Sequence, residues 1–156
     1  PIGANLHGGA VPPSPTYYFR HHNGRFQNGL TVVAYNLADV NPNDGGFACV
    51  PGSHKSNFVF PDAWKNLEQP HPCVNRVTGP AGSAIIFTEE LTHGPLPRHG
   101  KHDRRTIFYK YSPHSLSWHE DYPQAENHKG LTDNQQGLLQ APSAPYNRSR
   151  KTQQCP

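Results

Sequence analysis

His93 and Arg104 are the residues whose types and spacing first suggest a reactive site. His93 follows an apolar segment and precedes a loop, and Arg104 comes eleven positions later at the start of the next predicted strand. If these strands formed an antiparallel hairpin, the two side chains would lie roughly opposite one another. An imidazole suits Fe(II), and a guanidinium grips a carboxylate through two parallel hydrogen bonds. The pair fits a metal beside a clamp for a 2-oxoacid, although a loop histidine and a surface arginine are the simpler local interpretation.

Two further segments place histidines next to turn residues. His7 lies in the sequence LHGG, where glycines allow close backbone approach, although an ordinary loop histidine would look the same. The segment GGFACVPGSHK, residues 45–55, joins a turn, a short strand and a second turn that ends in Ser-His-Lys. His54 in this triplet is as compatible with a structural role at a strand exit as with a catalytic one.

Other candidate pocket residues come from predicted strands. Tyr35 and Tyr109 are candidates, with His54, for lining a pocket, although most such tyrosines are core or rim residues. His21 and His22 are arranged like a ligand pair, but adjacent strand residues point to opposite faces. At most one of the two therefore faces a barrel interior.

The composition limits the chain to one modest domain with many turns. It has 156 residues, of which 33% are hydrophobic, with 17 prolines and 14 glycines. A net charge of +3 without a dense Lys/Arg run gives no reason to expect nucleic acid as a partner. No stretch approaches the roughly 20 apolar residues of a membrane span. Three cysteines without C-x-x-C spacing favour reduced thiols, and we expect an intracellular, cytoplasmic protein.

The elements that must position these residues are short strands. Apolar or alternating runs predict five of them, at residues 30–37, 47–50, 74–77, 83–87 and 104–111. One helical turn is expected near residues 63–67, and Thr132 and Gln135 have capping-box spacing for a short helix over 132–140. Short strands broken by Gly/Pro turns favour an all-β sandwich, jelly roll or barrel. We expect a core over residues 1–118 and a polar C-terminal extension over 119–156.

The ordered set of segments resembles the phytanoyl-CoA dioxygenase-like family of Fe(II)- and 2-oxoglutarate-dependent oxygenases. GGFACVPGSHKSNF is similar to the family's Gly-rich turn and P-G-S-H-K stretch, and GSAIIFTEELTHGPLPRHGKHDRRTIFYKY to its second metal-ligand region. In that region a histidine ends one strand, and the arginine that binds 2-oxoglutarate follows eleven residues later. His93 and Arg104 match those positions, and His7 stands at a suitable separation for the first ligand histidine. The resemblance covers roughly residues 5–120.

The resemblance implies a cupin-like double-stranded β-helix, or jelly roll, that holds one Fe(II). Two histidines and one carboxylate would bind the metal, and Arg104 would hold the far carboxylate of 2-oxoglutarate. The implied reaction hydroxylates a C–H bond of a small organic substrate and releases succinate and CO2. Relatives carry a larger N-terminal part, whereas Pro1 stands only six residues before His7. We therefore expect the N-terminal portion of the barrel to be absent.

The sequence departs from the family at the ligand carboxylate. The family has His-x-Asp, whereas Gly9 stands here in place of the aspartate. A carboxylate from elsewhere, a halide as in the related halogenases, or a non-catalytic barrel that binds a small molecule or partner are the alternatives. Glu89 is the nearest substitute, but on a regular strand it would lie about 13 Å from His93 unless a bulge intervened. Pairing with a Lys or Arg is the other interpretation of Glu89. Asp44 is a further candidate carboxylate that turn chemistry also explains.

Overall fold

The computed structural model of the chain describes residues 5–9, 14, 16–100, 103–113, 115–116 and 122–139. They belong to two compact units, one covering Pro1–Tyr111 and the other Ser112–Pro156. The first unit contains the eight strands found among the described residues, and the second contains one short α-helix. The predicted boundary between residues 118 and 119 lies outside the described residues and stays a prediction.

Two three-stranded antiparallel sheets and a separate hairpin make up the first unit. The strands of one sheet are, in order, β6 (Ala84–Thr88), β3 (Thr31–Asn36) and β8 (Thr106–Tyr111). Those of the other sheet are β5 (Asn75–Arg76), β4 (Gly46–Cys49) and β7 (His93–Leu96). The hairpin consists of β1 (Phe19–His22) and β2 (Arg25–Asn28). This all-β arrangement is that of the jelly-roll fold, as predicted from the sequence.

The alternation along β3 decides which face of its sheet is buried. Val32, Ala34 and Asn36 are buried, whereas Tyr35 points to the opposite face. The buried set packs with the inward residues of its neighbours, because Val32 pairs in register with Phe87 of β6. A second core cluster lies by the other sheet and consists of Leu6, Ala48, Leu67 and Leu96. The outer face of β6, β3 and β8 carries exposed apolar side chains, namely Tyr35, Ile86, Ile107, Tyr109 and Tyr111.

All five predicted strands are present, shifted or shortened by one or two residues at an end. The sequence did not indicate β1, β2 or β7. The first two are polar and exposed, and what connects them is an Asn23-Gly24 turn in which both residues have positive φ. Strand β7 contains Gly-Pro, which usually marks a turn.

The helical predictions are confirmed over the described residues. Helix α1 (Asp133–Leu138) begins after Thr132, whose hydroxyl accepts a hydrogen bond from the Gln135 backbone while the Gln135 side chain accepts one from the Thr132 backbone. Residue 140 of the predicted helix lies outside the described residues. A 3₁₀ turn over Asp62–Trp64 lies where one helical turn was expected. Within the described part of the chain, no helix has the length and apolar character needed to span a membrane.

Candidate metal centre

His7 and His93 meet through their backbones as well as their rings. The N–H of each donates a hydrogen bond of 2.8 Å to the carbonyl of the other, which forms an isolated antiparallel bridge. Their ring centroids lie 4.3 Å apart. His93 is buried and His7 is exposed, so the pair sits at the rim of the fold's interior.

Glu89 joins the two histidines because the chain turns immediately after β6. Strand β6 ends at Thr88, and the N–H of Leu91 donates to the Thr88 carbonyl at 2.9 Å to close the turn. The separation of about 13 Å considered for a regular strand does not apply, because the residues between Glu89 and His93 turn instead of continuing the strand. One ligand atom from each of His7, Glu89 and His93 lies within 4.8 Å of the other two.

Glu89 also forms an ion pair. The Nζ of Lys110 lies 3.2 Å from Oε2 of Glu89, and only 12% of the Glu89 side chain is exposed. The sequence left metal ligation and pairing with a cation as alternative roles for this residue. A carboxylate has two oxygens, so it is able to serve a cation with each of them.

The orientation of His93 suits a metal ligand. Its Nδ1 lies 2.6 Å from the carbonyl oxygen of Leu91, and because a carbonyl only accepts, Nδ1 must carry the proton. In the neutral ring Nε2 is then the atom with a lone pair to offer. Burial is the main influence on His93 and lowers its pKa, while the hydrogen bond to Leu91 acts in the opposite direction.

The Gly8-Gly9 segment packs so tightly that it has no room for side chains. Both glycines have positive φ, of 89° and 65°. A Cβ at Gly8 would collide with the carbonyl of Leu91, and one at Gly9 would lie 2.7 Å from Oγ1 of Thr92, which is only 2% exposed. The close approach of this segment to the turn after β6 is what brings Glu89 to His7.

The three residues border a cavity of about 480 Å³ between the sheets. Its polar lining consists of His7, Asn36, Glu89, His93, Arg104, Thr106 and Lys110. The remaining lining is apolar or backbone, from Val32, Ala34, Phe47, Ile85, Phe87, Gly94, Pro95 and Phe108. A mostly apolar cavity with a few convergent polar groups is typical of a small-molecule site.

Arg104 reaches this cavity from the segment that leads into β8, whereas His93 lies in β7 of the other sheet. The hairpin considered between the strand that precedes His93 and the strand that follows Arg104 does not form, because β6 and β8 both pair with β3 and not with each other. His93 also begins a strand instead of preceding a loop. Burial lowers the pKa of Arg104, and among the described residues it has no ion pair within 4.0 Å.

A buried hydroxyl without a partner and a neighbouring amide side chain accompany Arg104. The hydroxyl oxygen of Thr106 is buried and has no hydrogen-bond partner within the described part of the chain. Asn36 is 3% exposed, lies opposite Thr106 in the β3–β8 register, and its side chain forms no hydrogen bond with another described residue. A buried polar group without a partner costs about 1–3 kcal/mol, which a ligand with acceptor oxygens at this end of the cavity would recover.

The structure does not bring the other candidate residues to the cavity. Tyr35 and Tyr109 lie on the outer face of their sheet, where their rings meet edge to face at 6.0 Å, because both occupy outward positions of the alternation. His54 packs against the ring of Phe19 at 4.7 Å, and burial is the main cause that lowers its pKa.

Three more residues considered from sequence also lie elsewhere. Asp44 accepts hydrogen bonds from the backbone and side chain of Asn41, as a turn residue does. His21 and His22 are exposed on the β1–β2 hairpin.

Asn36, Thr106 and Lys110 were not predicted as site residues. The alternation of β8 already placed Thr106 and Lys110 on one face, but only the β3–β8 register shows that this face and Asn36 point into the cavity. The alternation of residues along β8 is visible in the sequence, whereas the pairing of β8 with β3 is not.

Comparisons with known proteins show the family of the chain and the fold that it shares with solved structures. Residues 4–106 match the sequence profile of the phytanoyl-CoA dioxygenase (PhyH) family. The crystal structure of HygX from Streptomyces hygroscopicus with nickel, 2-oxoglutarate and hygromycin B bound is similar in fold, with a TM-score of 0.62 and 24% identity over 71% of this chain and 50% of that one. Its iron-bound crystal structure has a TM-score of 0.61 and 23% identity over 71% and 52%. The chain thus spans about half the length of HygX. No curated protein sequence matches it.

Proposed function

Because the chain belongs to the phytanoyl-CoA dioxygenase family, we propose that it is the core of an Fe(II)- and 2-oxoglutarate-dependent dioxygenase that hydroxylates a C–H bond of a small organic substrate. The observation that carries the proposal is the convergence of His7, Glu89 and His93 within 4.8 Å at the wall of a cavity that also contains Arg104. Since the chain spans half of its solved relative, the proposal concerns the whole protein to which this core belongs.

The residues fit an iron ion in kind and number. Two imidazoles and one carboxylate are the donor set of non-haem Fe(II) oxygenases, which leaves other coordination positions open. Glu89 supplies the carboxylate that Gly9 lacks, and Lys110 holds its other side. When bound, iron with 2-oxoglutarate and O2 supplies the oxidising chemistry, and succinate and CO2 are released.

The far end of the cavity fits the distal carboxylate of 2-oxoglutarate. The Arg104 guanidinium would donate two parallel hydrogen bonds to this carboxylate, and the Thr106 hydroxyl and the Asn36 amide could each add one donor. Among the described residues Arg104 has no ion pair and the buried Thr106 hydroxyl has no partner, so a bound carboxylate would supply the partner that each of them lacks. HygX has 2-oxoglutarate bound in its crystal structure, which supports the same cosubstrate here.

The apolar walls suit a small organic substrate. Phe47 and Phe87 pack against the His93 ring, at centroid distances of 5.6 and 4.7 Å. Side chains of this kind exclude water from the reacting centre and orient the substrate by shape. The protein's own contribution is therefore to hold, orient and shield.

The halogenase alternative receives no support from the site. That alternative needs an empty ligand position where the family aspartate stands, whereas Glu89 lies within reach of both histidines. The non-catalytic alternative is favoured by one observation, the ion pair with Lys110, which already neutralises Glu89 without a metal.

Succinate formation tests the proposal against the non-catalytic alternative. With Fe(II), O2 and 2-oxoglutarate, we expect the wild-type protein to form succinate slowly even when the organic substrate is absent. The H93A and R104A variants should lose this activity. Lack of turnover together with lack of Fe(II) binding by the wild-type protein would favour the non-catalytic barrel.

A further inference from the structure

The P-G-S-H-K segment packs directly against the turn that carries Glu89 and His93. The Ser53 hydroxyl accepts a hydrogen bond of 2.8 Å from the N–H of Thr92, and the Thr92 carbonyl accepts one of 2.9 Å from the N–H of Val50. One short segment therefore binds both backbone groups of Thr92. The residue next to His93 is unable to shift without breaking one of these bonds.

Thr92 also contacts the other half of the ligand set. Its Oγ1 packs so close to Gly9 that a Cβ there would lie only 2.7 Å away. Thr92 is 2% exposed, so water would not readily replace a hydrogen bond lost from its backbone. Thr92 thus packs between the segment that carries His7 and the turn that carries Glu89.

Gly52 gives the segment the shape that aims Ser53 at Thr92. Its φ is 82°, a left-handed conformation, and no atom lies within 4 Å of the Cβ it lacks. Glycine is therefore needed here for its backbone conformation and not for space. The Ser53 N–H donates to the Val50 carbonyl at 3.2 Å, which closes the turn through Gly52, and the 3₁₀ turn Ser53–Lys55 follows, closed by the Ser56 N–H donating to the Ser53 carbonyl at 2.9 Å.

We propose that Ser53 is a positioning residue that holds the turn of Glu89 and His93 in register with His7 through its hydrogen bond to Thr92. It is not a catalytic residue, because its hydroxyl is engaged by backbone and it is not among the residues lining the described cavity. The inference rests on the proposed function, since it concerns metal ligands. It gives the Ser53-His54-Lys55 triplet the structural role that the sequence left open.

The test compares S53A with S53T, which keeps a hydroxyl, and with S56A as the matched control. Ser56 lies in the same segment, but its hydroxyl accepts an exposed hydrogen bond from the Phe58 N–H and does not touch the metal-ligand turn. Ni(II) affinity is measured by calorimetric titration, and the exchange rate of the Thr92 amide is measured by NMR in the metal-free protein. The visible spectrum of the Co(II) form reports the ligand geometry.

We expect S53A to bind Ni(II) about tenfold more weakly, the lower end of the loss seen for outer-shell partners of metal ligands. Its Thr92 amide should exchange faster, and its Co(II) spectrum should differ from that of the wild type. S53T and S56A should match the wild type in all three measurements. If S53A does not fold, a loss of Ni(II) affinity in S53T despite its hydroxyl overturns the inference.

Wild-type Ni(II) affinity in S53A, with or without faster Thr92 exchange, would overturn the positioning role and leave the proposed function intact. Slow Thr92 exchange in S53A would overturn the hydrogen bond on which the role depends. Failure of the wild-type protein to bind Ni(II) is a different result, because it overturns the proposed function itself and the inference with it.

Discussion

Glu89 and His93 are four residues apart, yet a tight turn places a carboxylate oxygen and an imidazole nitrogen of the two within 4.8 Å. His7 completes the set from the opposite side of an antiparallel bridge. In the family, the ligand carboxylate comes from the residue two positions after the first histidine. In this chain, the turn after β6 offers a carboxylate from Glu89 instead.

Replacing Arg104 should weaken the binding of 2-oxoglutarate without weakening the binding of the metal. A charge-assisted hydrogen bond contributes about 1.5–3 kcal/mol, so R104A should raise the dissociation constant roughly 10- to 100-fold. Anaerobic titration of 2-oxoglutarate into the Fe(II)-loaded protein, followed by its absorption band, measures the effect. R98A is the control, because Arg98 pairs with Asp103 at the surface. Equal effects of R104A and R98A would contradict a specific role for Arg104.

Replacing Thr106 by valine should stabilise the cosubstrate-free protein. Valine has nearly the same shape and removes a buried hydroxyl that has no partner among the described residues, so the free energy of unfolding should rise by about 1 kcal/mol. T88V is the matched contrast, since the Thr88 hydroxyl donates to Asn28 at 2.7 Å and its loss should destabilise. Urea denaturation compares the two variants. A destabilised T106V would mean that the hydroxyl is satisfied in solution.

Introducing aspartate at Gly9 should not rebuild the family's ligand pair. Its φ of 65° and the nearby Oγ1 of Thr92 both oppose a side chain there. G9A should cost more stability than G24A, because Gly24 also has positive φ but nothing within 4 Å, and the backbone alone costs about 1–2 kcal/mol. The double variant G9D/E89Q should bind Ni(II) no better than E89Q. Restored affinity in that double variant would show that position 9 is able to supply a ligand.

Lys110 and Glu89 should be energetically coupled in the metal-free protein. K110M leaves a largely buried carboxylate without its cation and should lower the free energy of unfolding by about 1–2 kcal/mol, less than for a fully buried pair because Lys110 is 32% exposed. E89Q should remove most of this sensitivity to K110M. A double-mutant cycle with thermal or urea unfolding gives the coupling, and additive effects would mean that the pair does not form in solution.

The sequence was sufficient for five of the eight described strands and for three of the residues at the cavity. Runs such as 30–37 predicted β3, because β-branched and aromatic residues in a short apolar run have few other solutions. His7, His93 and Arg104 were found through their motif positions. The strand predictions depend on local pattern alone, whereas the three residues depend on the resemblance of ordered segments to the family.

The sequence did not show which strands pair with each other or where the chain turns after β6. Whether residues 89–92 extend or turn decides the role of Glu89, and that depends on the close approach of Gly8 and Gly9 to the backbone of Leu91 and the side chain of Thr92. The contribution of Asn36 to the cavity depends on its register with Thr106. The outward placement of Tyr35 and Tyr109 depends on which face of the sheet is covered by the rest of the fold. Long-range contacts of this kind leave no periodic trace in the sequence.

The most direct measurement is Ni(II) or anaerobic Fe(II) binding by E89Q, with E90Q as the control. Glu90 is the neighbouring buried glutamate and is not part of the ligand set. Losing one of three protein ligands should weaken binding at least as much as losing an outer-shell partner does, so we expect E89Q to lose about 100-fold or more. E90Q should bind like the wild type. Wild-type affinity in E89Q would contradict the claim that Glu89 completes the metal site with His7 and His93.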